Sequence, residues 1–359
     1  MAPRADKRPT LFLGYPSLKA KGGAEKILLE LAGHFVRSYR VFVLTEDTAK
    51  EWKVLSPHPE VRHIFVPYGS KNILKIGLSL WMLAFFIIRH KPAIVHTHHR
   101  RIALLFSAFK GLPFMRFKLI HTSHNVFREG ALFRHARCDL LIGVSRHVVA
   151  NLIEDFRFPE NKVRLVYNGI PEFEGARPPV REPSAVIVAR LTVQKGHVFL
   201  ITAWPAVVRE IPEATLYIVG EGELRSELKC LAGTLGLSDR IVFTGFDPDP
   251  RPWMLKTQFG ILPSLWEGLP LFPLESFSVE RTVVATAVDG TPEVVIDGQT
   301  GLLVPPKDTD KLAEAIIRMF KEPAERDRMA KEGHRLYKEL FTKEAMLRKY
   351  DDGYADALK

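Results

Sequence analysis

The sequence predicts an α/β protein with two doubly wound, parallel-sheet domains. Short apolar runs alternate with polar or glycine-containing loops and amphipathic stretches along nearly the whole chain, and this alternation is typical of parallel sheets covered by helices. The chain has 359 residues, which is enough for two domains that each bury a core. A segment with four prolines, residues 171–183, interrupts the alternation and is predicted to link the domains.

The apolar runs set the predicted boundaries. Residues 1–170 form a first domain, with strands predicted over 10–15, 39–45, 61–66, 93–97, 119–123, 140–144 and 163–167. Residues 184–340 form a second domain, with strands predicted over 185–189, 214–219, 241–244, 259–262 and 283–286. The end of the chain, from Asp308 to Lys359, is predicted to be mostly helical because its charged and apolar residues follow an amphipathic pattern.

The net formal charge of +10 is concentrated in the first domain. Residues 1–170 contain 27 Lys and Arg against 12 Asp and Glu, and residues 61–128 contain no carboxylate. Such a surface attracts polyanions or an anionic bilayer. The basic residues are not accompanied by interleaved exposed aromatics or by a recognised reading motif, which argues against nucleic acid as the partner.

The cysteines and the N-terminus predict a cytoplasmic protein. Cys138 and Cys230 lie far apart and in no metal-ligand spacing, so reduced thiols are expected. The first residues are basic, and the strand after them is too short for a secretory signal. The predicted location is the cytoplasm, with peripheral attachment to the inner face of the plasma membrane as an extension of this prediction.

Residues 73–88 form the most apolar segment of the chain. Lys75, Gly77 and Ser79 interrupt it, so it is not predicted to span a membrane. Two interpretations stay open at this point: a helix packed on the sheet, or a helix lying in a membrane surface with basic residues on both sides.

Residues 263–275, P-S-L-W-E-G-L-P-L-F-P-L-E, are the stretch that most strongly indicates function. Gly268, Pro270 and Pro273 end the preceding strand, and Pro273 is predicted to be the first residue of a helix, with Glu275 in its first turn. Glu267 and Glu275 would then flank a helix N-terminus. Free N–H groups there attract phosphate, and a carboxylate can accept hydrogen bonds from a sugar diol. One such glutamate would be ordinary capping, but the pair indicates a nucleotide-sugar site.

Other candidate residues follow strand ends. Arg190 and Lys195, in A-R-L-T-V-Q-K-G, suit a diphosphate because two cations stabilise the charge that grows on a leaving group. Gly22 and Gly23 either let a ligand approach the backbone or form a plain tight turn. The sequence V-G-E-G at 219–222 lacks the third glycine of a dinucleotide fingerprint, so that match is weak.

Histidines cluster after two strands of the first domain. His98 and His99 follow the strand at 93–97, and His124 follows the strand at 119–123, where open α/β folds bind their ligands. No nearby carboxylate or cysteine completes a familiar metal set, so no metal site is predicted.

These motifs together resemble the retaining glycosyltransferases of family 4. The resemblance rests on E-x7-E at Glu267 and Glu275, R-L-x-x-x-K-G at Arg190 to Gly196, G-G-A-E at Gly22, H-T-S-H-N at His121, and V-x-N-G-I ending at Ile170. It implies a GT-B architecture, in which two Rossmann-like domains face each other across a cleft. The last helix, 341–359, would cross back to the first domain.

The resemblance also implies the roles of the site residues. Glu267 would contact the transferred sugar and Glu275 the nucleotide ribose. Gly22 and Gly23 would face the donor diphosphate, and His124, with His121 as the second choice, would contact the sugar. Arg190 and Lys195 would help the diphosphate to leave, together with the amide groups of the segment formed by Gly268, Leu269, Pro270 and Leu271. Two departures from the family pattern are Val279–Thr282, which replaces a Gly-x-Pro, and Asp289-Gly290, where two glycines are usual.

The expected activity is retaining transfer of a hexose from a nucleotide diphosphate sugar to a glycan or lipid-linked glycan of the cell envelope, such as a lipopolysaccharide core. A UDP-sugar is the favoured donor and GDP-mannose the other candidate. No cofactor and no metal are expected, because no fitting D-x-D motif is seen and cationic side chains can replace a metal. The alternatives are a nucleotide-sugar epimerase, a glycogen-type synthase, or a nucleic-acid-binding protein.

Overall fold

The computed structural model describes residues 6–19, 22–68, 73–127 and 131–359. The chain divides into two compact units. The first unit comprises Met1–Val166 together with Met346–Lys359, and the second comprises Tyr167–Ala345. The segment predicted as a linker, 171–183, belongs to the second unit, where Arg177 donates a hydrogen bond to the Ser278 carbonyl at 3.2 Å.

The first unit is built on a parallel sheet. Its strands are β1 (Thr10–Gly14), β2 (Arg40–Thr45), β3 (Arg62–Phe65), β4 (Pro92–Thr97), β5 (Lys118–Ser123), β6 (Leu140–Gly143) and β7 (Val163–Leu165). Its α-helices are α1 (Gly23–Phe35), α2 (Ala49–Leu55), α3 (Ile73–His90), α4 (Arg100–Ser107), α5 (Arg146–Ala150) and, from the other end of the chain, α12 (Lys343–Leu358). The strand order is β3-β2-β1-β4-β5-β6-β7.

The second unit repeats this plan. Its strands are β8 (Ser184–Val188), β9 (Thr215–Val219), β10 (Ile241–Gly245), β11 (Phe259–Leu262), β12 (Val283–Thr286) and β13 (Gly301–Val304). Its α-helices are α6 (His197–Glu210), α7 (Arg225–Thr234), α8 (Arg251–Lys256), α9 (Leu271–Ser278), α10 (Thr309–Lys321) and α11 (Pro323–Leu340). The strand order is β10-β9-β8-β11-β12-β13, and the neighbouring strands pair in parallel.

Both sheets have the doubly wound order of Rossmann-like domains, which confirms the predicted fold. In each, the chain adds strands on one side, returns to the centre and then adds strands on the other side. The reversal lies between β1 and β4 in the first unit and between β8 and β11 in the second. Ligands of such sheets bind beyond the carboxyl ends of the strands at this reversal.

The apolar runs of the sequence become the cores of the two units. Leu11, Phe12 and Leu13 of β1 have no exposed surface, as expected for a central parallel strand covered on both faces. In the second unit, Trp204 of α6 is likewise fully buried beneath the sheet. Burying each large apolar side chain contributes roughly 1.5–3 kcal/mol to folding.

Helix α12 completes the core of the first unit. Tyr350 and Tyr354 are both 1% exposed. The Tyr354 ring stacks on Phe35 of α1 with centroids 4.3 Å apart, and its hydroxyl lies 2.7 Å from Nδ1 of His96 in β4. Residues 346–359 are therefore part of the first unit's folded body.

Helix α3 packs on one face only. Ser79, Leu83 and Ile87 are buried, and the Ser79 hydroxyl donates to the Pro67 carbonyl at 2.7 Å. The opposite face carries a row of apolar residues between 48 and 82% exposed: Leu74, Leu78, Trp81, Phe85 and Ile88. We call these five residues the α3 apolar row. No helix in the described ranges is both long enough and apolar enough to cross a membrane.

The start of α9 differs from the prediction. The helix begins at Leu271, with Pro270 as the extended residue before it, and not at Pro273. Pro273 is therefore the third helical residue, and Glu275 lies beyond the first turn. The prediction was wrong because Pro270, not Pro273, is the last extended residue before the helix, with φ of −70° and ψ of 133°. Pro273 is tolerated in the first turn because the N–H that it lacks would have no partner within the helix there.

Candidate active site

An ion pair joins the two predicted loops of the second unit. β8 and β11 are neighbours in the sheet, paired at Ala185 and Phe259, so the loops after them emerge side by side. Lys195 Nζ, from the first loop, lies 2.5 Å from Glu267 Oε1, from the second. The side chains are only 17% and 7% exposed. Each charge stabilises the other in this buried position, because either charge alone would be costly to desolvate.

Backbone and side-chain contacts fix these two loops together. The Ser264 hydroxyl donates to Glu267 Oε1 at 2.7 Å. The Leu265 amide donates to the Gln194 carbonyl at 2.8 Å, and the Gln194 side chain donates to the Trp266 carbonyl at 2.9 Å. The carboxylate and the ammonium are thus held by contacts between the two loops that follow the neighbouring strands β8 and β11.

Gly196 allows the close approach of these loops. It has φ of +64°, and a Cβ at this position would meet the Pro263 carbonyl oxygen at 2.0 Å. Only glycine satisfies both conditions. Gly196 therefore allows the backbone next to Lys195 to lie against Pro263, the residue that follows β11.

Asp289 holds the backbone of Glu267. Its Oδ2 accepts a hydrogen bond from the Glu267 amide at 2.8 Å. Asp289 has φ of +42°, a left-handed conformation that costs a residue with a Cβ about 1–2 kcal/mol. This explains how an aspartate occupies a position where the resembled family has glycine: it keeps the glycine-like backbone and adds an acceptor for Glu267.

The predicted ribose contact, Glu275, lies within α9 and is 9% exposed. The segment before α9 is anchored by Asn168, whose amide donates to the Leu269 carbonyl at 3.2 Å. Gly268, Leu269 and Pro270 are buried, and Leu271 is partly exposed at the helix N-terminus. Within the described part of the chain, no side chain forms a capping hydrogen bond at this N-terminus.

Arg190 shares the loop of Lys195 but differs in its surroundings. Its side chain is exposed, whereas Lys195 is paired. The structure therefore brings together Lys195 and Glu267, and places Arg190 on the solvent side of the same loop.

The remaining predicted residues lie in the first unit. Gly22 is the N-cap of α1, and Gly23 is the first helical residue. A Cβ on Gly22 would lie 2.8 Å from Oε2 of Glu25. The Gly22–Gly23 step therefore begins a helix beyond the carboxyl end of β1.

His121 and His124 differ sharply in environment. His121 lies inside β5 with none of its surface exposed, and its Nδ1 is 3.0 Å from the Thr97 hydroxyl. His124 is partly exposed just past β5, and its Nε2 is 2.8 Å from Nδ1 of His98. Burial lowers the pKa of His121 to about 3 and that of His124 to about 4, so both are neutral at pH 7. The preference for His124 over His121 stays a prediction, and the difference in exposure favours it.

Three residues support the candidate site in roles that the sequence does not predict. Ser264 and Asp289 support Glu267, and Asn168 supports Leu269. Asn168 could have been predicted from the sequence, because it belongs to the V-x-N-G-I motif. Ser264 and Asp289 carry no spacing signal, since their roles depend on contacts made after the sheet forms.

Among the described residues, no group of three or more His, Cys, Asp or Glu could hold a metal ion, and the independence from metal stays a prediction.

Comparison with known proteins supports the resemblance. The family described as Glycosyltransferase Family 4 matches residues 21–172, and the family described as Glycosyl transferases group 1 matches residues 171–336. The two matches together cover most of the chain. Paired Rossmann-like units are the architecture of GT-B glycosyltransferases. The chain belongs to these families, and the suspected membership of glycosyltransferase family 4 is confirmed.

Individual proteins show the same relationship. An alpha-D-kanosaminyltransferase from Streptomyces kanamyceticus is 33% identical over 48% of this chain and 49% of its own length. The chain spans about half the length of the first curated relatives it matches. An N-acetylgalactosamine-N,N'-diacetylbacillosaminyl-diphospho-undecaprenol 4-alpha-N-acetylgalactosaminyltransferase from Campylobacter jejuni is 28% identical over 84% of this chain and 87% of its own.

A solved structure shares the fold. Anabaena Alr3699/HepE, solved in complex with UDP and glucose, is 17% identical and superposes with a TM-score of 0.81, covering 97% of this chain and all of that one. At this level of identity, the likeness establishes the fold alone.

Proposed function

We propose that this protein transfers a hexose from a nucleotide diphosphate sugar to an acceptor hydroxyl, with retention of configuration. The observation that carries the proposal is the Lys195–Glu267 pair at 2.5 Å, held where the sheet order of the second unit reverses. A carboxylate that accepts from sugar hydroxyls and a cation that stabilises a departing diphosphate are the groups such a transfer needs. The UDP bound to the Anabaena protein supports a UDP-sugar as donor.

Each of the predicted site residues has a separate role in the proposed reaction. Glu267 accepts hydrogen bonds from hydroxyls of the transferred sugar, and Glu275 accepts from the ribose. Arg190, Lys195 and the free amides at the start of α9 stabilise the negative charge on the leaving diphosphate. His124, which is neutral, contacts the sugar, and Gly22 and Gly23 allow the diphosphate to approach the backbone. The acceptor oxygen attacks the face that the diphosphate leaves, and the departing diphosphate oxygen takes up the proton of the acceptor hydroxyl. The cations take the place of a metal.

Binding and turnover test this proposal separately. A thermal-shift panel of UDP, GDP, ADP and their sugars identifies the donor, and the expected result is stabilisation by one uridine or guanosine sugar. Glu267→Gln should lower kcat by roughly 100-fold, while Leu235→Ser, on an exposed helix end of the same unit, should leave it unchanged. Stabilisation by no nucleotide, or full turnover by a Glu267→Gln, Glu275→Gln double variant, would contradict the proposal.

The two alternatives on the same architecture give different products. An epimerase consumes the nucleotide sugar without an acceptor, and a glycogen-type synthase extends a glucan. Product analysis with and without acceptor distinguishes them from the proposed transfer. Activity that is lost in EDTA and restored by manganese would contradict the metal-independent mechanism.

We further propose a lipid-linked glycan as acceptor, reached by docking of the first unit at an anionic membrane surface. The similarity to the Campylobacter enzyme, whose name specifies a diphospho-undecaprenol acceptor, supports the acceptor class. The α3 apolar row supports the docking, because five large apolar side chains on one helix face stay exposed in the carboxylate-free region 61–128. Apolar side chains enter the interface, and nearby basic residues contact anionic headgroups. The expected location is the inner face of the plasma membrane.

Vesicle co-sedimentation tests the docking. Binding to phosphatidylglycerol vesicles at low salt should exceed binding to phosphatidylcholine vesicles. A Trp81→Ser, Phe85→Ser double variant should lose most of this binding, whereas Leu235→Ser should keep it. Equal binding by the double variant would show that the α3 apolar row is not the docking surface.

A further inference from the structure

His98 and His124 form a hydrogen-bonded pair, and the proposed mechanism gives a role to His124 but none to His98. His98 follows β4 and His124 follows β5, and these strands are neighbours with Thr97 opposite His121. Nδ1 of His98 lies 2.8 Å from Nε2 of His124. The ring planes differ by 20° and the centroids are 5.1 Å apart. Nitrogens this close between nearly parallel rings meet edge to edge, as an N–H···N hydrogen bond requires.

The pair has two neutral arrangements. In the first, His98 carries its proton on Nδ1 and donates to His124, whose own proton is then on Nδ1. In the second, His124 donates from Nε2, and His98 carries its proton on Nε2. Both rings are neutral at pH 7, because burial holds the pKa of His98 well below its ordinary value and lowers that of His124 to about 4.

The other nitrogen of His98 decides between the two arrangements. His98 is 4% exposed, and its Nε2 is buried with no hydrogen-bond partner in the described part of the chain. The second arrangement would bury an unsatisfied N–H donor there, whereas the first buries only an unused lone pair. Orphaned buried N–H groups are rarer in proteins than acceptors left without a donor.

We propose that His98 is a positioning residue that fixes His124 in its Nδ1–H form. The Nδ1 of His124 has no hydrogen bond to the described residues, so the pair leaves this ring with one N–H donor for a ligand. A donor at this point suits an oxygen acceptor, a sugar hydroxyl or a phosphate oxygen. This role of His124 rests on the proposed function, whereas the tautomer itself does not.

Nitrogen-15 NMR of histidine-labelled protein at pH 7.5 tests the tautomer directly. The His124 signals are identified by their loss in His124→Gln. We expect a protonated Nδ1 and an unprotonated Nε2 in the native protein. His98→Leu, which removes the donor, should shift His124 towards Nε2–H. His98→Asn, whose amide can donate from nearly the same place, should keep Nδ1–H. His63→Asn, which removes a histidine hydrogen-bonded to Thr45 in the same sheet, should change nothing.

Kinetics then separate positioning from simple loss of structure. His98→Leu should lower kcat by roughly 100-fold, and His98→Asn should recover it to within about tenfold of the native value. Circular dichroism checks that each variant is folded. A native His124 in the Nε2–H form, or an unchanged tautomer in His98→Leu, would overturn the proposal. If the tautomer is as expected but His124→Gln transfers sugar normally, the His124 role fails while the pairing stands.

Discussion

Glu267 is held at both its side chain and its backbone. It is paired with Lys195, accepts from Ser264, and its amide donates to Asp289. Together these contacts restrict both the carboxylate and the backbone of Glu267. Such rigidity matters because a catalytic group displaced by even 1 Å loses much of its effect.

Lys195 and Glu267 should be strongly coupled in stability. We expect the Lys195→Met, Glu267→Gln double variant to be less destabilised than the sum of the single variants, by about 1–3 kcal/mol. Each single change leaves a buried charge without its partner, whereas the double change leaves none. Urea unfolding of all four proteins measures the coupling, and additive effects would mean that the pair is solvated and weak.

Asp289 should be replaceable by asparagine but not by alanine. Asparagine keeps an oxygen acceptor for the Glu267 amide and tolerates a positive φ. Alanine loses the acceptor and keeps the strain, so we expect Asp289→Ala to lower the free energy of unfolding by about 1–3 kcal/mol and to lower turnover. Equal stability of the two variants would contradict this role.

The loop between β8 and α6 depends on Gly196. Gly196→Ala adds both a left-handed strain of about 1–2 kcal/mol and a clash with the Pro263 carbonyl, which we expect to cost a further 1–3 kcal/mol or so. Gly236→Ala is the matched control, because its φ is +70° but a Cβ there meets nothing within 4 Å. Similar losses in thermal unfolding for the two variants would show that the contact with β11 is unimportant.

The strands and helices were largely predictable because their signals are local. The apolar run 259–262 became β11, and the segment at 283–286 became β12. The beginning of α9 was mispredicted because two prolines three residues apart offered two possible breaks. For α3 the sequence allows both a helix packed on the sheet and a helix in a membrane surface, since periodicity alone does not tell which apolar face meets a sheet.

The residues of the candidate site were predictable from the sequence only where they belong to a motif. Arg190, Lys195, Glu267 and Glu275 are recognised by spacing. His98 as a partner of His124 was not, because 26 residues separate them and the pairing depends on the register of β4 and β5. In the sequence, Asp289 stands out only as a departure from the family's glycine. Its contact with Glu267 becomes evident from its positive φ and from the hydrogen bond that the Glu267 amide donates to it.

The histidines make the stability of the entire protein sensitive to mild acid. The pKa values of His99 and His124 are lowered to about 4 by burial, and those of His121 and His197 to about 3. The unfolded chain takes up protons near pH 6.5, whereas the folded protein does not. Protonation therefore favours the unfolded state as the pH falls from about 6.5 to 4.

We expect the free energy of unfolding to fall by about 1.4 kcal/mol per pH unit for each such histidine in this window. Thermal unfolding at pH 7.5, 6 and 5 measures the effect, and most carboxylates remain ionised over this range. His121→Phe should reduce the slope if it folds, and His197→Leu provides the same test in the second unit. A melting temperature that does not change between pH 7.5 and 5 would contradict the neutral, buried state of these rings.

The return of residues 346–359 to the first unit has a consequence for biosynthesis. A ribosome that has made β1 to β7 has not yet made Tyr350 and Tyr354, which fill the core beside Phe35 and His96. The second unit is one continuous stretch of chain, Tyr167–Ala345, and can fold before α12 has been synthesised, whereas the first unit cannot complete its core until then. The nascent polypeptide thus finishes its amino-terminal half last.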